Sequence, residues 1–280
     1  MEPSELAFGT ARIGLRVSRD QALRVLERAW IGGVRCFDTA PSYGEGDSES
    51  ALGDFVKRLG VDAPLIRITT KVGIAPVPAR RSLLRVGYRV VDRVPALRRT
   101  SRAFVEAATR GVRLIALADF SASLDASLER LHLDQLESVL LHEASATSYP
   151  HDELMTVMAQ LSGTCGSWGV SGEPARALPW LTARADSQSG LSGCGGPEVI
   201  QTRATAENLS TIAALGPQWK LRTFGVLAAA RSEHGAGSRQ NARSALEASP
   251  LVIGQRVLFS SNNESHVDEV LRGGVLLARP

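Results

Sequence analysis

The chain has 280 residues, 44% hydrophobic and 22% charged, which is enough apolar material for one large core and excludes an intrinsically disordered protein. The net charge is only +3, aromatic residues are 5%, and no stacking platform or reader motif is visible, so a nucleic-acid partner is not expected. Three cysteines, Cys36, Cys165 and Cys194, are odd in number and have no C-x-x-C spacing, so neither a disulfide scaffold nor a metal site is expected.

MEPSELAFGT, at the start, has neither a basic end nor a useful apolar stretch, and no window nears the roughly 18 apolar residues of a spanning helix. A cytoplasmic protein without membrane association is expected. LAFGT (6–10) reads as a first strand. SRDQALRVLERAWIGG follows with Leu23, Val25, Leu26, Ala29 and Trp30 on one stripe and Ser18 placed to cap it. VRCFDTA (34–40) and LIRITTKV (65–72) are the second and third strands. Next come about fifty residues where other connections need a few. This insertion, 73–120, leaves the C-terminal end of a strand and is expected to overhang that face as a lid. From Arg80 to Arg113 it holds ten arginines against Asp92 and Glu106, a charge that suits a solvated helical face and leaves room for an acidic partner.

SASLDASLERLHLDQL has leucines at 124, 128 and 131, with Ser121 or Ser123 able to cap a helix. ESVLLHE (137–143), SWGVSG (167–172), EVIQTR (198–203), LRTFGVL (221–227) and QRVLFSS (255–261) complete the strands. TAENLSTIAAL and NESHVDEVLRGG begin with capping residues after the sixth and eighth. Most strands are apolar runs rather than alternating ones, as parallel strands covered on both faces should be. Eight strand–helix units predict an α/β fold, a (β/α)8 TIM barrel in one domain spanning 1–280, since a doubly wound sheet more often uses fewer strands.

Four ionisable residues stand at the C-terminal ends of consecutive strands: Asp38 and Tyr43 after the second, Lys71 on the third, His142 on the fourth. Barrel neighbours bring such residues into one sector of one face. A lysine ammonium favours phenolate and lowers a tyrosine pKa. An aspartate would hold the lysine charged, and the histidine could hydrogen-bond a carbonyl oxygen. That set suits proton transfer beside a polarised carbonyl during hydride transfer. The G-x-G of FDTAPSYGEG (37–46) does not open a βαβ dinucleotide fingerprint.

GVRCFDTAPSYGEGDSESALGDFVKR, ITTKVG, SLDASLERLHLDQLESVLLHE and WGVSG together resemble the aldo-keto reductase superfamily, in feel closest to its bacterial sugar and pyridoxal dehydrogenase-like branch. The resemblance implies a TIM barrel binding NADP or NAD without a Rossmann domain, and a catalytic tetrad of Asp38, Tyr43, Lys71 and His142. Ser171 and Gln201 match positions that hold the nicotinamide carboxamide, and Gly9 and Thr10 a segment near the cofactor. Residues 260–270, with Ser260, Ser261, Asn262 and His266, match the segment receiving the cofactor's phosphate and adenosine. The implied activity is hydride transfer to or from an aldehyde, ketone or sugar. The pattern departs at Gly172, where many members have Asn, at the seventh strand, read as lacking an aromatic, and at Ser260 and His266, where NADP-preferring members carry Lys and Arg. Non-redox acid–base chemistry in a biosynthetic pathway, or service as a non-catalytic regulatory subunit, therefore stays open beside the redox reading.

Overall fold

The computed structural model describes residues 6–14, 17–76, 114–143, 145–186, 197–226 and 256–271. The arginine-rich part of the insertion, its proposed lid and Cys194 lie outside these residues. Eight parallel strands form a closed barrel in sequence order: β1 (Leu6–Gly9), β2 (Cys36–Asp38), β3 (Arg67–Val72), β4 (Ser138–His142), β5 (Trp168–Ser171), β6 (Val199–Arg203), β7 (Lys220–Phe224) and β8 (Arg256–Phe259). All eight sequence-derived strands are present, each shorter by one to four residues, and the seventh begins one residue earlier than expected. Around the barrel lie α1 (Arg19–Ile31), α2 (Asp47–Leu59), α3 (Phe120–Leu131), α4 (His151–Gln160), α5 (Pro174–Asp186), α6 (Ala206–Leu215) and α7 (Glu264–Leu271).

Capping follows the sequence at both ends of the chain. Ser18 Oγ accepts from the Gln21 amide at 3.2 Å, Thr205 Oγ1 from Asn208 at 3.2 Å, and Asn263 Oδ1 from Ser265 at 2.9 Å. At α3 the expectation of a Ser121 or Ser123 cap fails. The helix begins earlier, behind a 3-10 turn at Leu117–Asp119, and Asp119 occupies the cap position without a side-chain bond. Burial of Phe120 against the barrel extends the helix past the serines.

Side chains alternate across each strand. Outward Phe8, Phe37, Ile68, Val139, Leu141 and Ile200 join the layer between barrel and helices. Inward Ala7, Cys36 and Leu258 form a small separate cluster, with Phe224 packed on it. Lower in the barrel the filling is polar. Arg222 donates to Thr69 Oγ1 at 2.6 Å and Ser138 Oγ at 2.7 Å, and Arg256 donates to Glu137 at 2.6 Å. Burial works to raise the Glu137 pKa, but the Arg256 hydrogen bond and the Arg222 charge hold it below the usual carboxylate value. The described ends of the insertion meet: Ile74 and Leu114 form an antiparallel bridge, and the Ile115 amide donates to Gly73 O at 3.0 Å.

Helices α2 and α3 cross closely at Gly53, where an added Cβ would stand 1.9 Å from the Arg130 carbonyl oxygen. That neighbour is backbone and cannot rotate away. Gly53→Ala is expected to destabilise the fold by about 2–3 kcal/mol in urea unfolding; a change within about 0.5 kcal/mol would mean the two helices separate without strain.

Candidate active site

The inward faces of β2 to β6 carry Asp38, Lys71, His142, Ser171 and Gln201 near their C-terminal ends. Their registers lock them together: His142 pairs with Ser171, and Ser171 with Gln201. The Lys71 Nζ donates to Asp38 Oδ1 at 2.7 Å and to the Thr39 carbonyl at 2.9 Å. It stands 4.7 Å from the centre of the Tyr43 ring, and that ring meets the His142 imidazole edge-on, centroids 5.6 Å apart. Ser42 Oγ lies 3.4 Å from His142 Nδ1. Asp38, Tyr43, Lys71 and His142, separated by over a hundred residues in sequence, thus form one cluster.

The loop holding Tyr43 is pinned from three sides. The Ser48 amide donates to Tyr43 O at 3.3 Å and the Tyr43 amide to Ala40 O at 3.0 Å. Ser48 Oγ donates to Thr10 O at 3.1 Å, tying the loop to the end of β1. The fully buried Glu49 accepts from Thr70 Oγ1 at 2.6 Å and from Arg130 Nε at 2.7 Å. It couples α2 to α3 and to the β3 residue preceding Lys71. GEGDSES reads as a polar turn in sequence, and burial of its Ser48 and Glu49 is visible only in three dimensions.

Electrostatics set the protonation states. For Lys71, burial works against the charge, but Asp38 and then Tyr43 outweigh it, so its pKa is raised and it stays an ammonium. For Tyr43, burial raises the pKa, opposed by Lys71 and reinforced by Asp38, and the net shift is upward. Lys71 does lower it, as expected, but burial outweighs the lysine and Asp38 adds to the upward shift. His142 is pushed from 6.5 to about 3 by burial and secondarily by Lys71, so it is neutral at physiological pH.

Gly9 lies opposite Asp38 in the β1–β2 register, and Thr10, fully buried, donates its amide to Asp38 O at 2.8 Å. Gln201 Nε2 reaches Ser171 Oγ at 3.5 Å, while its buried Oε1 has no hydrogen-bond partner among the described residues. At Gly172 the backbone takes φ +142°, and a Cβ there would meet Glu143 Oε2 at 3.0 Å, so glycine is required by the loop itself. Ser260, Ser261, Asn262 and His266 lie on the turn after β8 and the start of α7, and Ser260 packs beside Gly9, its Cβ 3.7 Å from where a Cβ on that glycine would stand. Ser261 Oγ accepts from the Asn263 amide at 3.0 Å, and Gln21 donates to Asn262 O at 2.8 Å. His266 is exposed on α7.

Two further residues share the mouth. Phe224, at the inner end of β7, is half-buried on Ala7, Cys36 and Leu258, so the seventh strand does present an aromatic. Arg203 lies over its ring at 5.5 Å. Both were legible by parity, Arg203 being two residues beyond Gln201 on one strand.

A model of the aldo/keto reductase family matches residues 5–189, about two thirds of the chain. The chain belongs to the aldo/keto reductase family. Within it, a D-threo-aldose 1-dehydrogenase of Pseudomonas sp. is 37% identical over 145 residues, covering 49% of this chain and 39% of that protein. A pyridoxal 4-dehydrogenase of Microbacterium luteolum is 44% identical over 71 residues, 24% and 20% of the respective chains. The chain thus spans well under half the length of these relatives. A "putative aldo-keto reductase" of Pseudomonas aeruginosa superposes with a TM-score of 0.62 at 18% identity, covering 96% of this chain and 88% of that one, a likeness of fold. Among the described residues no helix is long and apolar enough to cross a membrane, and no group of His, Cys, Asp and Glu could hold a metal ion.

The unfolded chain protonates this histidine as pH falls through about 6.5, whereas the folded chain does not until about 3. The lowered pKa therefore costs stability as pH drops below the unfolded value, and the loss grows toward the folded one. The His142 ring proton resonances are expected to hold their neutral positions from pH 8 to pH 5 in NMR titration; a midpoint between 6 and 7 would place the imidazole in water.

Proposed function

We propose that this protein is an NAD(P)-dependent oxidoreductase that interconverts a carbonyl group and its alcohol, with an aldehyde, ketone or sugar as its small-molecule substrate. The reading rests on the cluster in which one buried ammonium, 2.7 Å from Asp38 and 4.7 Å from the Tyr43 ring centre, lies beside a neutral imidazole. In the reducing direction Tyr43, a phenol at neutral pH, gives its proton to the carbonyl oxygen as negative charge develops there. Lys71 stabilises the phenolate left behind, and Asp38 holds Lys71 charged and aimed. His142, neutral, donates a ring N–H to the same oxygen and orients the carbonyl. In the oxidising direction the Tyr43 phenolate accepts the alcohol proton. NAD(P), when bound, supplies or accepts the hydride at the carbonyl carbon.

The residues present fit such a cofactor. The unpartnered Gln201 Oε1 beside Ser171 suits a carboxamide N–H2, since a buried acceptor without a donor is costly. Gly9 and Thr10, at the end of β1 beside Asp38 and Ser260, would border the cofactor from another side of the cup. Ser260, Ser261, Asn262 and His266 would take the phosphate and adenosine end, where the positive end of the α7 dipole favours an anion. This turn also carries Glu264, bound by Arg24 at 2.9 Å, while Arg28 is paired with Asp268. The two arginines that α1 brings here are already neutralised, which favours the 2′-hydroxyl of NAD over the 2′-phosphate of NADP.

Tyr43→Phe is expected to lower turnover by roughly 10²–10⁴-fold and leave NADH affinity within about twofold; full activity would remove Tyr43 from its role. Fluorescence titration is expected to give a Kd for NADH at least about tenfold below that for NADPH. The reverse order would overturn the cofactor preference, and absence of binding by either would remove the hydride-transfer reading.

A further inference from the structure

Arg203 closes β6 at the rim of the catalytic cup. It sits on the same inward face as Gln201, one strand repeat of about 6.6 Å further toward the mouth. Its register partner is Phe224, and its guanidinium lies over that ring at 5.5 Å. The ring in turn rests on inward Ala7, Cys36 and Leu258, so it faces the barrel interior, and Arg203, exposed at the end of β6, meets it from the rim.

Arg19, Arg24, Arg28, Arg130, Arg222 and Arg256 each meet a carboxylate within ion-pair distance. Arg203 has no such partner and no side-chain hydrogen bond among the described residues. Rim residue Glu143 feels the Arg203 charge, after those of Glu173 and Arg176, without closing an ion pair with it. Within the cup Asp38 offsets Lys71 and His142 is neutral, so Arg203 adds positive charge at a rim it shares with Glu143. A flat aromatic face under a guanidinium fixes its plane and leaves its N–H edges free for a planar or tetrahedral oxyanion.

We propose that Arg203 is an anion-binding residue of the barrel mouth and selects ligands carrying a carboxylate or phosphate. The inference rests on the cup being the ligand site proposed above. The same chemistry could reside in the substrate or in the cofactor's pyrophosphate, and the two sources are separable by experiment.

Three measurements compare wild type with Arg203→Gln and Arg203→Lys. The first is thermal stabilisation by sodium pyrophosphate and by 4-carboxybenzaldehyde, which needs no turnover and so stands even if hydride transfer fails. The second is NADH affinity by fluorescence. The third is the ratio of kcat/KM for 4-carboxybenzaldehyde over uncharged 4-nitrobenzaldehyde. Stabilisation by at least one of the two anions is expected in wild type, lost in Arg203→Gln and partly retained in Arg203→Lys. If the anion is the substrate's, the kcat/KM ratio falls about 10- to 100-fold in Arg203→Gln with NADH affinity unchanged. If it is the cofactor's, NADH affinity falls by that factor and the ratio holds. Equal stabilisation of wild type and Arg203→Gln, or none in wild type, would overturn the proposal. Wild type that is stabilised by an anion yet does not bind NADH would remove the redox reading and leave Arg203 as an anion site.

Discussion

Closure of the sheet, through the pairing of β1 with β8, is the constraint from which the site follows. In a closed parallel barrel every second residue must face a shared interior, and all C-terminal strand ends open on one rim. Once the registers are set, Asp38, Lys71, His142, Ser171 and Gln201 have nowhere to point but at one another. An open sheet would leave the first and last of them far apart. The polar filling around Arg222 and Glu137 and the small apolar cluster above it supply the floor on which these residues stand.

Within that cup one ion pair governs the rest. A buried ammonium is costly unless matched by charge and hydrogen bonds, and Lys71 has both, from Asp38 and the Thr39 carbonyl. Its retained charge helps keep His142 neutral and partly offsets the burial that raises Tyr43. The cluster is therefore arranged with a protonated phenol and a neutral imidazole at rest, a state suited to donating to a carbonyl oxygen. The loop that carries Tyr43 is held separately: Ser48 and the buried Glu49 anchor its following helix to β1, β3 and α3.

Much of this was legible beforehand. The eight strands stood out because buried parallel strands are short apolar runs between amphipathic helices. Asp38, Lys71 and His142 stood out because a charged residue ending an apolar run needs a reason. The α3 boundary was misplaced because burial of Phe120 outweighs the serine caps. The upward shift of Tyr43 was missed because its largest cause is burial, whereas sequence order reveals only that Lys71 is near. Phe224 and Arg203 were overlooked although parity with Gln201 marks Arg203 as inward.

By itself the amino-acid sequence determined the count and order of the strands, the capped starts of α1, α6 and α7, and which residue types end each strand, because these depend on local periodicity and on side chains a few positions apart. Tertiary structure alone decided which charges are neutralised and which are left free. Lys71 finds Asp38 and Arg130 finds Glu49 across long stretches of chain, while Arg203 finds an aromatic face and, among the described residues, closes no ion pair. Pairing over such distances is set by barrel register and burial, and neither is written in any one segment.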